Sequence, residues 1–517
     1  MDLLAEHNRG LPQTLPNDLR QILGVAETEA DPGVLHESIV MTLDKVGFAQ
    51  GILGMSEFPG MDLSSNSIPA PIFDRANNTP FRGYPSVIEA VKSDDEKVLE
   101  NPFTPQQSAL ISRLSLHHAQ VFENKAAQVD PQSPDGRRYA TLAAEARTIP
   151  SFFIDKLVVG ELFDKLRNEG WKGEPLDGTV LAALRQRYIL GGVDTLKSYS
   201  AFKEGVSRAD LAKDAEFTIK AFKDMQGLGI SNFAALFALL GVDQDSVVKQ
   251  AEAAVRLFEG IKVPLSQKIA ELVASGDIPK EHENTYAAYS LAAKKLDDEN
   301  TVVNQTEVSP KQILNEIAQQ ENITVPDGSV LIIENHPRGR TFTFVIGQID
   351  PDRGNVVGAR MIFPKGASRI EVAHEVGHVL HALYVGPKSV FLGTDLPRTK
   401  AEIFASYTQQ KYGGGESYSA KLLTSRFPLL LEAQLRGLKD LDHACEEGNQ
   451  ERVAEIIKTS FSEPTENMKK TFGFGVAGEG YGIPFGAHGL YANANLSSDT
   501  SIPFKQLVDQ VIFEKPS

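Results

Sequence analysis

The chain has 517 residues, with 52 Lys and Arg against 68 Asp and Glu and a formal charge of −16. That acidic balance argues against a nucleic-acid partner or an anionic membrane surface, both of which need cationic groups to displace counterions. The single cysteine, Cys445, excludes an intrachain disulfide framework and any cysteine-rich metal site, so a bound ion must be sought among histidines and carboxylates.

In chain order, residues 1–325 read as a large helical N-terminal region. Helical periods rich in Ala, Leu, Glu and Lys recur over about 104–130, 138–170, 175–225, 231–275 and 283–298. A turn cluster at Asp130–Gly136 separates the first two, and Phe58–Pro85, with many Pro, Asn and Ser residues, is expected to be an extended loop. The apolar run Phe233–Leu240 reads as core, and His117-His118 as ordinary surface or packing. No apolar run approaches the roughly 18–20 residues that a bilayer helix needs. The start of the chain lacks the basic and apolar segments of a secretory signal. A cytoplasmic location is therefore expected, with export that reads no N-terminal signal as the other route.

Near residue 326 the pattern changes, and 326–517 is expected to carry the chemistry. Ser329–Glu334, Thr341–Ile349 and Asn355–Phe363 are β-rich. The Pro351–Gly354 turn predicts a hairpin of the second and third, and the third is expected to offer an edge to an extended peptide. Ser368 then stands as an N-cap with Glu371 three residues later, a capping-box pattern that opens a helix. The fold class expected is mainly α with a small β-sheet.

That helix reads Glu371-Val372-Ala373-His374-Glu375-Val376-Gly377-His378-Val379-Leu380-His381. His374 and His378, four residues apart, project one turn apart from one face and can both reach a single zinc ion, with Glu375 beside them as general base toward a water. The plainer alternative is a helix whose histidines merely pack, but in so apolar a segment their ring nitrogens would need partners. A catalytic zinc takes three protein ligands. Position 384, where a metzincin carries its third histidine, is Tyr384. His381 reads as outer support or packing. Glu402, 24 residues after His378 on a second predicted helix, is the preferred third ligand, with Ser406 one turn on as hydrogen-bonding support and Asp395 as the fallback.

These residues resemble the thimet oligopeptidase and oligoendopeptidase F family of gluzincin zinc peptidases, over about 345–410 and again over 472–504. The family pattern H-E-x-G-H-x-x-H is matched by His374, Glu375, Gly377, His378 and His381, and the later ligand glutamate by Glu402. The resemblance implies one Zn2+ per chain and a two-lobed, thermolysin-like catalytic region enclosed by helices. It also implies a glycine- and tyrosine-rich loop whose Tyr481, His488 or Tyr491 steadies the oxyanion. Residues 473–489 hold seven glycines in seventeen positions. Their G-x-G-x-x-G match lacks a preceding strand, and Pro484 interrupts a following helix, so a nucleotide role is set aside. The function expected is a zinc-dependent endopeptidase acting on short or unfolded peptides. The segment Ala401–Ser406 also resembles lethal-factor-type toxin metalloproteases, which makes an effector-like protease cutting one specific protein the first alternative. A non-catalytic, zinc-stiffened helical binding protein is the second.

Overall fold

The computed structural model describes residues 15–26, 31–56, 64, 68–73, 87–92, 103–168, 211–228, 230–235, 244–280, 283–284, 286–302, 309–335, 341–348, 355–394, 398–413, 418–457 and 500–513. These residues are mostly helical with one small sheet. The elements that matter below are α1 (Pro32–Ser56), α2 (Pro105–Ala126), α3 (Pro134–Asn168), α4 (Leu211–Gly227), α5 (Gln244–Ser275), α6 (Tyr286–Val302) and α7 (Pro310–Gln320). Strands β1 (Val330–Ile333), β2 (Phe342–Gln348) and β3 (Val356–Ile362) follow. The chain then returns to helix in α8 (Arg369–Val385), α9 (Val390–Thr394), α10 (Arg398–Tyr412), α11 (Tyr418–Glu446), α12 (Gln450–Ile456) and α13 (Phe504–Phe513).

Local chemistry starts several of these helices where the sequence places them. Thr104 caps α2 in a reciprocal capping box with Gln107, and Pro105 occupies the first turn, where its missing N–H costs nothing. Ser368 and Glu371 do the same for α8. Other ends are capped from across the core. Asp297 on α6 accepts the Tyr418 and Ser419 amides at 2.6 and 3.0 Å and so starts α11. Asp442 on α11 accepts the Phe233 and Ala234 amides, its own carboxyl pushed up to about 6 by burial. Phe233, the first residue of the apolar run, is fully buried, and Leu236–Leu240 lie outside the described residues. Of the expected loop at 58–85, the described part includes a helical turn at 70–73.

The sheet order is β1-β3-β2. β2 and β3 form the expected antiparallel hairpin, in register from Phe342 opposite Ile362 to Gln348 opposite Val356. β1 runs parallel to β3 on its other side, from Val330 opposite Ala359 to Ile333 opposite Ile362. This overturns one expectation. β3 is the central strand, with both rows of backbone hydrogen bonds used, and cannot be the edge that receives a peptide. The side chains alternate between two covered faces. Gly347 and Val357 meet α9 and the end of α8, whereas Ile346 packs on Gly51 of α1 and Gly358 on Pro69 and Ile72. A strand covered on both faces can be apolar throughout, as the VVGARMI of β3 nearly is.

The buried apolar core draws on both sides of residue 326. It runs from Leu19 through Phe258, Met361 and Phe404 to Ile512. α5 packs along α11, α4 along α12, and α2 along α3. Among the described residues no helix is long and apolar enough to cross a membrane.

Candidate metal centre

The motif helix α8 lies antiparallel against α10, and four contacts step down the pair. Arg369 Nε donates to the Tyr412 carbonyl at 2.9 Å. His374 Nδ1 meets Gln409 Oε1 at 2.9 Å. Gly377 passes the backbone at Phe404–Thr408, and the His381 ring stacks on Phe404 with centroids 4.6 Å apart and planes 17° apart. The approach at Gly377 is so close that a Cβ there would lie 2.4 Å from the Phe404 carbonyl oxygen and 2.5 Å from Ala405 Cα. The motif glycine is thus the contact that lets the two helices meet.

Above that contact the motif imidazoles stand edge to face, with centroids 5.3 Å apart and planes at 82°. Two imidazoles bound to one tetrahedral zinc at the usual Zn–N length would set their centroids about 5 Å apart. The bond to Gln409 decides which nitrogen of His374 can serve a metal. A carboxamide oxygen has no proton to give, so Nδ1–H is the donor and Nε2 carries the lone pair. By spacing, tautomer and donor chemistry the pair fits a zinc ion.

The other expected residues divide into those the described structure places and those it does not. Glu375 is buried on α8, and its carbonyl lies 3.5 Å from the Thr343 hydroxyl of β2, so the motif helix borders that strand. His381 is buried packing: it hydrogen-bonds the Leu392 backbone, and burial, with the neighbouring His378, pushes it down to about 3. Tyr384 donates to Asp509 of α13 at 2.9 Å, so its hydroxyl is engaged with the C-terminal helix. Glu402 lies on α10, seven residues before Gln409, within about 20° of the same azimuth but about 10 Å further along an ideal helix, past the Phe404 that faces His381; its side chain lies outside the described residues. Ser406, one turn after Glu402, is buried. Asp395, Tyr481, His488 and Tyr491 lie outside the described residues, as does the glycine-rich segment 473–489. Among the described side chains no set of three His, Cys, Asp or Glu groups stands together as a metal site.

Gln409 is the residue that sequence reasoning missed. Its only signal was its place on the α10 stripe that starts at Glu402, and reading it requires the register of two helices that pack through Gly377. Compared with family models and with curated proteins, the chain matches none.

Proposed function

We propose that the protein is a zinc-dependent endopeptidase with a two-lobed, thermolysin-like catalytic region. The observation that carries this reading is the His374–His378 pair, one turn apart on a capped helix, with the Nδ1 of His374 held by Gln409 so that Nε2 carries the lone pair. His374, His378 and Glu402 would hold the ion. Zinc, when bound, lowers the pKa of a water and polarises a scissile carbonyl. Glu375 takes the proton of the attacking water and passes it to the departing amine, which is the reason for a carboxylate directly after the first histidine. Tyr481, His488 or Tyr491 is proposed to donate to the oxyanion.

The substrate edge belongs to β2 in this proposal. Among the described residues β2 pairs with β3 alone, and Thr343 brings it against the backbone of Glu375. An extended peptide lying antiparallel or parallel to β2 would pass beside the motif helix, with backbone hydrogen bonds setting its register. Short or unfolded peptides meet that requirement.

The test is Glu375→Gln. It should keep one zinc per chain and lower cleavage of a peptide library by about 10²–10⁴-fold, the usual worth of a positioned general base. A Gln variant as active as the wild type would overturn the assignment.

A further inference from the structure

We propose that Gln409 is a positioning residue for the metal: it selects the tautomer of His374 and so sets the affinity of the centre for zinc. The proposal rests on the reading of His374 as a ligand. A neutral imidazole ring carries one proton, on Nδ1 or Nε2, and only the nitrogen without it can bind a cation. Free in solution the ring exchanges between the two forms. Here the Gln409 Oε1 atom, 2.9 Å from Nδ1, can only accept. It stabilises the Nδ1–H form and leaves Nε2 basic before any metal arrives.

The scaffold supports this use of the side chain. Gln409 sits on α10 between two fixed points. On one side, the Thr408 hydroxyl is tied back to the Phe404 and Ala405 carbonyls where Gly377 passes. On the other, Lys411 donates to Glu321 at 2.8 Å, and the Tyr412 carbonyl receives Arg369 of α8 at 2.9 Å. The amide oxygen is therefore presented by a helix whose register against α8 is held above and below it, and α10 is the helix that carries Glu402. One element positions the ring of one proposed ligand and supplies another. A neutral amide at this place also leaves His374 less electron-rich than a carboxylate partner would, so the centre is tuned below its maximal affinity.

The experiment compares wild type, Gln409→Ala and Gln409→Glu for zinc affinity, by competition with a chromophoric chelator. It also compares their metal-free forms by 15N NMR of labelled histidine, which reports the tautomer directly. Gln409→Ala should bind zinc about 10–100-fold more weakly and show His374 as a mixture of tautomers. Gln409→Glu, which restores an acceptor, should recover the Nδ1–H form and bind at least as tightly as the wild type. Equal zinc affinity and an unchanged tautomer in Gln409→Ala would overturn the proposal. The reading beneath it fails differently: if His378→Ala binds zinc as tightly as the wild type, the motif is not the metal centre, while the metal-free spectra still decide whether Gln409 sets the tautomer. Thermal unfolding of each variant separates these outcomes from loss of fold.

Discussion

Gly377 shows how much one missing side chain can decide. A methyl group added there would meet the Phe404 carbonyl oxygen, the Thr408 hydroxyl and Ala405 Cα, all within 2.5 Å. Two of these are backbone, and the third is itself hydrogen-bonded to the helix, so none can move aside cheaply. Gly377→Ala is expected to destabilise the protein by about 1–3 kcal/mol through overpacking, measured by denaturant unfolding. Because α8 and α10 must part to accommodate it, zinc affinity should fall as well. An unchanged midpoint would show that the helices are not in contact there. The side-by-side placement of the His374 and His378 rings was legible because it depends on spacing within one helix. The Gln409 contact was not, because it depends on where a second helix docks, and no local pattern encodes that.

At the scale of elements, the helix starts and strands were legible wherever the deciding interaction is local. Ser368 and Glu371 cap α8 within four residues, and the hairpin of β2 and β3 follows from two β-rich runs and a short turn. The parallel pairing of β1 beside β3 was not legible, since nothing in either strand names its partner, and that pairing makes β3 the central strand and leaves β1 and β2 outermost among the described residues. The docking of α13 is likewise a long-range event. Glu321, just past the end of α7, accepts from Lys411 at 2.8 Å, from Tyr412, and from the Phe504 amide at 3.0 Å, while the Tyr407 hydroxyl reaches the Ile502 carbonyl at 2.6 Å. Burial alone would raise the Glu321 carboxyl, but the donors from Lys411, Tyr412 and Phe504 outweigh it and hold it below the usual range. Glu321→Gln keeps the shape and removes the charge, at an expected cost of about 1.5–3 kcal/mol for hydrogen bonds to a charged group. Hydrogen exchange should report it locally, with amides of 504–513 exchanging about tenfold or more faster. Unchanged exchange there would show that α13 is held by apolar packing alone.

The whole molecule responds to pH through a second histidine cluster, far in sequence from the motif. His118 on α2 is buried beside His36 of α1, with ring centroids 6.3 Å apart, and both pack on Phe122. His36 pairs with Glu145 of α3 at 3.0 Å. The Nδ1 atoms of both histidines and the Ser115 hydroxyl have no hydrogen-bond partner among the described residues. Burial first, then His36 and His117, push His118 down to about 3, with Asp31 opposing them. An unfolded histidine titrates near 6.5. As pH falls below that value the unfolded chain takes up a proton that the folded chain refuses, so this stability is complete above about pH 6.5 and is lost progressively toward pH 3. Between pH 7 and pH 5 the loss should be about 2 kcal/mol. Denaturant midpoints at the two values should show it as the difference between the wild type and His118→Phe. His381, also pushed down to about 3, adds a loss of the same sign in both, and Asp442, pushed up to about 6, adds a gain in both. An equal slope in both would assign the effect elsewhere.

At the centre stands the proposal that the α8 motif holds a zinc ion for peptide hydrolysis. Its most direct test is the metal content of the purified chain after dialysis against trace zinc, beside that of a His374→Ala/His378→Ala double variant shown to be folded. One zinc per chain is expected in the wild type and none in the variant. A folded wild type that binds no zinc, or a variant that binds as much, would contradict it.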